Sequence, residues 1–270
     1  MSSSPTASAP SIPPSSPLSS VPSDDDSNDE LVDVQPSEVE FLNTLSTKIW
    51  KKNGNNLVIT FKVEIRGKLC VMKVVCDYIH PSAAPIEHST LILAQFKRDE
   101  YLKDYFTIEH RAYQLLKEKG FCKRGLVPKF YGVIQHINVE LWPDLHAFRH
   151  HKWRPNAVLI EYIPDAEKIC LNNFSQDNVN RLCSILAEFH QAGLLHGDPY
   201  PRNMMVVQGK LKDRVFWLDF DSSKVVDRQT CSEQVERQLE DEMEEVIGIA
   251  EALAIDAKTG ILEEALYFYY

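Results

Sequence analysis

The chain carries two kinds of hydrophobic pattern, one typical of β-strands and one typical of amphipathic helices. Runs rich in β-branched residues at 57–63 and 69–75 flank turn residues at 66–68, and this arrangement predicts a β-hairpin. Ahead of the hairpin, apolar residues at 41–50 are spaced as on one face of a short helix. The first folded segment is therefore predicted to be a helix followed by two paired strands.

Further along the chain, helix and strand patterns alternate. Residues 106–119 place apolar side chains on one helical face, and Gly120 follows as a helix-ending residue. Residues 91–103 have a mixed pattern that also favours a helix. Apolar runs at 127–134 and 157–163 predict two more strands.

The C-terminal part contains two amphipathic helices with a short hairpin between them. Ser175 is placed to cap the first helix, and residues 231–257 form the second. Apolar runs at 204–207 and 215–218 are joined by a polar turn and predict two paired strands. Strand patterns thus dominate the first half of the chain, and helix patterns dominate the second.

Composition separates an N-terminal tail from the rest of the chain. Residues 1–36 are rich in Ser, Pro and Asp, with few large apolar side chains, so burial cannot offset their ordering entropy and we expect disorder. Residues 37–270 have the composition of a globular protein.

Net charge and cysteine content indicate which ligands and which cellular compartment to expect. The formal net charge of −10 argues against non-specific binding to nucleic acid or to anionic membranes. No apolar segment has the pattern of a signal peptide or the length of a transmembrane helix. The six cysteines include no C-x-x-C pair, which is typical of reduced thiols. We expect an intracellular, cytoplasmic protein.

Candidate chemistry is concentrated at residues 196–203, His-Gly-Asp-Pro-Tyr-Pro-Arg-Asn, which read H-x-D-x-x-x-x-N. This stretch enters the second predicted hairpin, and Asp219 follows where that hairpin ends. The order brings Asp198, Asn203 and Asp219 to one end of a small sheet. Mg²⁺ prefers such a site, with a few oxygen ligands from the protein and phosphates and water in the other positions. The alternative is an ordinary turn with capping Asp and Asn residues.

With the strand pair and the Asp-Phe dipeptide in place, the spacing resembles the catalytic core of the protein-kinase-like superfamily. The H-G-D wording is similar to that of fungal-type kinase-like proteins and of small-molecule kinases of the aminoglycoside-phosphotransferase type. The resemblance implies ATP and Mg²⁺ as cofactors. It assigns Asp198 to the acceptor hydroxyl, and Asn203 and Asp219 to the metal.

The resemblance also implies the fold and the domain organisation. The fold would be α+β and two-lobed, as in protein kinases. We expect a β-rich small lobe at about 41–163 and a shortened helical large lobe at about 164–270.

Five further residues acquire roles from the same resemblance. Lys73 resembles the V-A-I-K lysine that contacts the α- and β-phosphates; the alternative is an exposed lysine on an edge strand. Glu109 would pair with this lysine, or it is a glutamate favoured near a helix N-terminus. Glu161 and Ile163 resemble the hinge whose backbone binds the adenine edge. Arg202 either contacts the transferring phosphoryl group or lies in solvent.

Several features depart from the kinase pattern. No G-x-G-x-x-G precedes Lys73, and Gly67 is the only glycine that we assign to the loop over the phosphates. Asp221 stands where a D-F-G segment has glycine. Gly197 replaces the Arg of H-R-D, so control by activation-loop phosphorylation is not expected. Asp241 either braces the catalytic loop from below, as a helix aspartate does in kinases, or is a free acidic residue.

Histidines also invite a metal interpretation. His146, His150 and His151 lie in a His- and Trp-rich stretch at 141–155, but their spacing matches no ligand pattern, so we expect a surface insertion. His196 is expected to be structural, holding its loop through backbone contacts.

The expected function is transfer of the γ-phosphate of Mg-ATP to a hydroxyl acceptor, a protein in the first instance. No A-P-E motif is present and little chain follows Asp219 before the last long helix, so a peptide-docking platform is small or missing. An alternative is therefore a small-molecule kinase of the aminoglycoside-phosphotransferase type. The missing glycines and Asp221 favour a further alternative, a weak or inactive pseudokinase that acts as a binding module.

Overall fold

The computed structural model describes residues 29–50, 56–76 and 104–269. The predicted tail up to residue 28 and the helix predicted at 91–103 lie outside these residues. The described part of the chain has a β-rich small lobe followed by a helical large lobe. The expected α+β, two-lobed fold is therefore confirmed.

A five-stranded antiparallel sheet forms the small lobe, with the strand order β1-β2-β3-β5-β4. Its strands are β1 (Val39–Trp50), β2 (Asn56–Ile65), β3 (Lys68–Cys76), β4 (Phe130–Ile134) and β5 (Asn156–Glu161). The predicted hairpin is confirmed as β2 and β3, and the two later strand predictions are confirmed as β4 and β5. Arg66 and Gly67 join the hairpin with φ values of 50° and 77°, the positive values that a tight hairpin turn needs.

The helix predicted at 41–50 is wrong, because this segment belongs to the edge strand β1. β1 pairs with β2, and its register shifts between Phe41 and Asn43 and again between Thr44 and Ser46. Each irregularity inserts an extra residue and breaks the two-residue alternation of a strand. The apolar positions consequently acquire a spacing that imitates a helix.

The connection between β4 and β5 covers the outer face of the sheet. Its side chains Trp142, Leu145 and Phe148 are buried in the small-lobe core. His146 and His150 remain exposed, and the described residues hold no group of three or more His, Cys, Asp or Glu that could bind a metal. The stretch is an insertion between β4 and β5, and its apolar side packs into the small-lobe core.

The inner face of the sheet packs against the first helix, α1 (Tyr105–Glu118), and against the large lobe. Asp104 caps α1 by accepting a 2.8 Å hydrogen bond from the Thr107 amide. Gly120 follows the helix with a φ of 76°. The helix predicted at 106–119 is confirmed, and it presents Glu109 to the interior between the lobes.

Two long helices and small sheets build the large lobe. The helices are α2 (Gln176–Gln191) and α3 (Glu233–Thr259); the strands are β6 (Glu167–Lys168), β7 (Leu194–Leu195), β8 (Met204–Val207), β9 (Arg214–Trp217) and β10 (Lys224–Val225). Ser175 and Ser232 cap the two helices, accepting from the amides of Asn178 and Val235. Both helix predictions and the β8–β9 hairpin are confirmed. None of the described helices is both long enough and apolar enough to cross a membrane.

Part of the predicted tail is folded. Leu31 and Val34 are buried in the small-lobe core, and the Leu31 amide donates to the Tyr131 carbonyl at 2.7 Å. Asp29 forms ion pairs with Lys68 at 2.7 Å and with Lys129 at 2.8 Å. Residues 29–36 therefore pack onto the small lobe, and the disorder expected for them is wrong because two apolar anchors and charged partners offset their ordering.

The β4–β5 insertion gives a stability prediction. Leu145→Ala should lower the free energy of unfolding by about 2–5 kcal/mol, because it removes a buried side chain and leaves a cavity. Urea unfolding followed by fluorescence measures this change. Leu141→Ala is the matched control, since Leu141 is 61 % exposed in the same insertion and should change stability by less than about 0.5 kcal/mol. Equal effects of the two substitutions would show that the insertion is not part of the core.

Candidate active site

Lys73 lies between the lobes and touches three carboxylates. Its Nζ is 2.8 Å from Glu109, 2.5 Å from Asp219 and 2.9 Å from Asp221. The Lys73 side chain is 9 % exposed, so the alternative of a solvent-facing lysine is wrong. A buried ammonium group requires such partners, because its desolvation is costly.

The members of this cluster come from three parts of the fold: β3, α1 and the segment after β9, which carries both aspartates. Lys73 lies in the middle of β3, opposite Thr60 of β2 and Val158 of β5. Glu109 lies near the start of α1 and is 2 % exposed, so the alternative of a solvent-facing glutamate is wrong as well. Asp219 follows β9 with a φ of 63°, in the left-handed region that few non-glycine residues adopt.

Electrostatics distinguish Glu109 from Asp219. Burial raises the pKa of Glu109 to about 7, since the attraction of Lys73 offsets only part of its desolvation. Burial acts on Asp219 in the same direction, but ion pairs with Lys73 and Lys48 hold the Asp219 pKa well below its usual range. Asp219 is therefore an anion at neutral pH, while Glu109 can hold a proton there.

Lys48 is a member of the cluster that the sequence analysis missed. Its Nζ lies 2.8 Å from Asp219 Oδ2 and 4.0 Å from Asp221 Oδ2. The incorrect helix prediction for 41–50 concealed this contact, because a residue on an N-terminal helix has no reason to face Asp219. The paired strand β1 instead carries Lys48 to the cleft.

The loop assignment of Gly67 needs a correction. Gly67 lies at the β2–β3 turn, and the adjacent Leu69 carbonyl accepts from the Tyr162 amide at 3.3 Å, at the hinge end of the sheet. Lys48, close to the opposite end of β1, contacts Asp219. Gly67 therefore lies at the end of the sheet opposite to Lys48, and its assignment to the loop over the phosphates is wrong.

The loop with the H-x-D-x-x-x-x-N motif brings together Asp198, Arg202 and Asn203. The Arg202 guanidinium forms a two-nitrogen contact with the Asp198 carboxylate. Asn203 Nδ2 donates to both Asp198 Oδ2 and the Asp198 carbonyl, each at 2.8 Å. The Leu218 amide donates to the Asn203 carbonyl at 3.0 Å, which fixes this loop against the segment that ends in Asp219. Arg202 thus contacts Asp198 with a side chain that is 39 % exposed, and its contact with a transferring phosphoryl group stays a prediction.

Glu242 of α3 supports this loop from below. One carboxylate oxygen accepts from His190 Nε2 at 2.6 Å and from the His196 amide at 3.0 Å, while the other accepts from the Gly197 amide at 2.6 Å. The bracing role proposed for Asp241 is wrong, because Asp241 is exposed.

A signal for Glu242 is present in the sequence. Glu242 occupies a buried helical stripe whose neighbouring members are apolar: Leu239, Val246, Ile249 and Leu253. A carboxylate in such a stripe is buried, and a buried carboxylate needs donors. Helical spacing therefore distinguishes Glu242 from the neighbouring Asp241.

Close approach of two backbone segments explains why residue 197, in the H-G-D motif, is a glycine. Gly197 has a φ of 76°, and a Cβ placed there would come within 2.2 Å of the Ser222 carbonyl oxygen. The preceding His196 ring packs between Trp217 and Phe220, with centroid distances of 5.1 and 4.8 Å. Its Nε2 lies 3.0 Å from the Leu218 carbonyl oxygen. His196 has the structural role that we expected.

The hinge candidates differ in their availability. The Glu161 amide donates to the Lys129 carbonyl at 2.9 Å, and the Glu161 carboxylate accepts from the Lys129 amide at 3.2 Å. Among the described residues, no hydrogen bond is made by the Ile163 backbone. Ile163 therefore offers free backbone groups to a ligand, whereas the amide of Glu161 is already used.

Asp219, Asp221 and Asn203 offer oxygen donors of the kind that Mg²⁺ prefers. Asp219 and Asp221 supply carboxylates, and Asn203 uses only its amide nitrogen in the two bonds to Asp198, so its Oδ1 takes no part in them. The described residues contain no closed metal cage of three or more His, Cys, Asp or Glu. Mg²⁺ does not need one, because it commonly takes one or two protein carboxylates and completes its shell with phosphates and water.

Comparison with known proteins finds a family model and a solved kinase structure that resemble this chain. The family model of lipopolysaccharide kinases (Kdo/WaaP) matches residues 159–245, a segment that includes Asp198, Asp219 and Glu242. Among solved structures, the PK-1 kinase of Cydia pomonella granulovirus is similar with a TM-score of 0.43 and 13 % identity, over 80 % of this chain and 68 % of that one. No curated protein matches in sequence. The family match supports a relation to the protein-kinase-like superfamily, while the resemblance to fungal-type and aminoglycoside-phosphotransferase-type members stays a prediction.

Proposed function

We propose that this protein is an ATP-dependent phosphotransferase of the protein-kinase-like type, which transfers the γ-phosphate of Mg-ATP to a hydroxyl acceptor. The observation that carries the proposal is the buried Lys73, which is bonded to Glu109 and Asp219 beside the loop that holds Asp198 and Asn203. The Lys73 ammonium group can exchange a carboxylate oxygen for a phosphate oxygen while its side chain stays between the lobes.

Each residue of the site has a proposed role that follows from its position. Lys73 binds the phosphates while Glu109 holds its side chain in place. Asn203 and Asp219 would hold Mg²⁺, which neutralises charge on the phosphates when it is bound. Asp198 orients the acceptor hydroxyl and accepts its proton, and Arg202 is a positioning residue that fixes the Asp198 carboxylate. Such chemistry consists largely of positioning and charge stabilisation.

The acceptor in the first instance is a protein hydroxyl, as the fungal-type resemblance implies. A second candidate is a small-molecule or sugar hydroxyl. Two observations favour this second candidate: the short segment 222–232 between Asp221 and α3 offers little room for a peptide platform, and the matching family is described as lipopolysaccharide kinases. Parallel assays with radiolabelled ATP, using peptide mixtures and sugar mixtures, separate the two. ATP binding without transfer to either would support the pseudokinase alternative.

Asp198 gives the first catalytic prediction. Asp198→Ala should lower the rate of phosphoryl transfer by roughly 100-fold or more, because it removes the group that orients and deprotonates the acceptor. Binding of Mg-ATP should change little, since Asp198 does not touch the nucleotide in this scheme. Single-turnover assays and calorimetry measure the two quantities separately. Undiminished transfer by Asp198→Ala would exclude this residue as the base.

Glu242 gives a second prediction, which concerns positioning. Glu242→Gln presents a donor where two backbone amides and His190 require acceptors, and an unsatisfied buried donor costs about 1–3 kcal/mol. We expect a lower thermal midpoint and a lower kcat, with the affinity for Mg-ATP nearly retained.

Asp241→Asn is the matched control for Glu242→Gln, because Asp241 is the exposed neighbour on the same helix. It should leave both the thermal midpoint and kcat unchanged. If Asp241→Asn reduced kcat while Glu242→Gln did not, the bracing role would belong to Asp241 instead.

A further inference from the structure

Lys48 contributes a second ammonium group to the cleft. It extends from β1 and contacts Asp219 Oδ2 at 2.8 Å, while Lys73 takes Asp219 Oδ1. One carboxylate is thus shared by two lysines. The two lysines differ in accessibility, because the Lys48 side chain is 42 % exposed and that of Lys73 is 9 % exposed. Lys48 is the one that an incoming ligand reaches first.

Lys48 makes fewer contacts in the cluster than Lys73. Lys73 contacts all three carboxylates of the cluster. Within the described part of the chain, Lys48 has one close partner, Asp219, and lies 4.0 Å from Asp221. If a divalent cation takes Asp219, Lys48 loses its close partner and becomes a free cation at the mouth of the cleft.

Chain order places Lys48 beside the connection between β1 and β2. Residues 51–55 of this connection read Lys-Lys-Asn-Gly-Asn, with Gly54 as the single glycine. Loops that cradle phosphates do so with backbone amides, and they need glycines for that close approach. A lysine side chain supplies charge to a phosphate as a flexible point cation, without any requirement on the backbone.

We propose that Lys48 binds the phosphate groups of the nucleotide and supplies the charge that a glycine-rich loop would otherwise supply through its amides. In the state without nucleotide, Lys48 neutralises Asp219. In the bound state Lys48 exchanges this carboxylate for a phosphate oxygen, so that its ammonium group is paired in both states. This inference rests on the proposed function, since it requires a nucleotide in the same cleft.

The test is calorimetric titration of the full chain with Mg-ATP and, separately, with adenosine. Lys48→Ala should weaken the binding of Mg-ATP by roughly 10- to 100-fold, the range for a lost hydrogen bond to a charged group. Binding of adenosine, which has no phosphate, should be unchanged. Lys48→Arg should retain most of the Mg-ATP affinity, because it keeps the charge. Lys123→Ala, the loss of an exposed lysine outside the cleft, is the control and should bind Mg-ATP like the parent.

The outcomes separate this inference from the proposed function. If the parent binds Mg-ATP and Lys48→Ala binds it equally well or more tightly, Lys48 only neutralises Asp219 and the inference is overturned alone. If the parent binds neither Mg-ATP nor adenosine, the proposed function fails and Lys48 fails with it. A loss of adenosine affinity in Lys48→Ala would also overturn the inference, because the effect would not depend on phosphate. Thermal unfolding of each variant verifies that it is folded.

Discussion

The buried charge of Lys73 is the constraint on which the arrangement of the two lobes depends. An ammonium group in the interior is tolerated only with anionic partners, and these come from α1 and from the segment after β9. The sheet, the helix and the large lobe are therefore tied together at one nitrogen atom. When all are ionised, the cluster holds three carboxylates and two lysines. Burial raises the pKa of Glu109, and the charges of Asp219 and Asp221 raise it further. A site with such a balance is prepared to accept a cation and to release its lysines.

Glu242 stabilises the loop of the H-x-D-x-x-x-x-N motif, as the acidic cluster stabilises the buried Lys73. The loop turns sharply at Gly197, and its backbone amides point into the protein where water cannot satisfy them. Glu242 accepts from two of these amides and from His190, while His196 packs against Trp217 and Phe220. The loop is consequently rigid, and its rigidity fixes the carboxylate of Asp198 through Asn203 and Arg202. Positioning of this kind is the main contribution that a protein makes to phosphoryl transfer.

Local patterns predicted most of the elements and several of the residues that the structure brings together between the lobes, Lys73, Glu109 and Asp219. The hairpin of β2 and β3, the three helices and the H-x-D-x-x-x-x-N loop follow from periodicity, turn residues and spacing, since each is set by neighbours in the chain. β1 does not follow from local patterns. Its two register irregularities depend on pairing with β2, and they hide the alternation of inward and outward side chains that is typical of a strand. Lys48 was missed for the same reason. The choice of Asp241 rather than Glu242 as the bracing residue has another cause. The kinase pattern suggested an aspartate, whereas the apolar neighbours along α3 indicate that Glu242 is the buried residue.

We propose that Lys73 and Asp219 exchange partners when nucleotide and metal enter the cleft. A crystal structure of the full chain with Mn²⁺ and a non-hydrolysable ATP analogue, with anomalous data collected at the manganese edge, tests this exchange directly. We expect an anomalous peak between Asn203 and Asp219, with Lys73 Nζ on a phosphate oxygen and still paired with Glu109. A nucleotide bound elsewhere, or a cleft in which Lys73 remains bonded to Asp219 and no manganese is present, would contradict it.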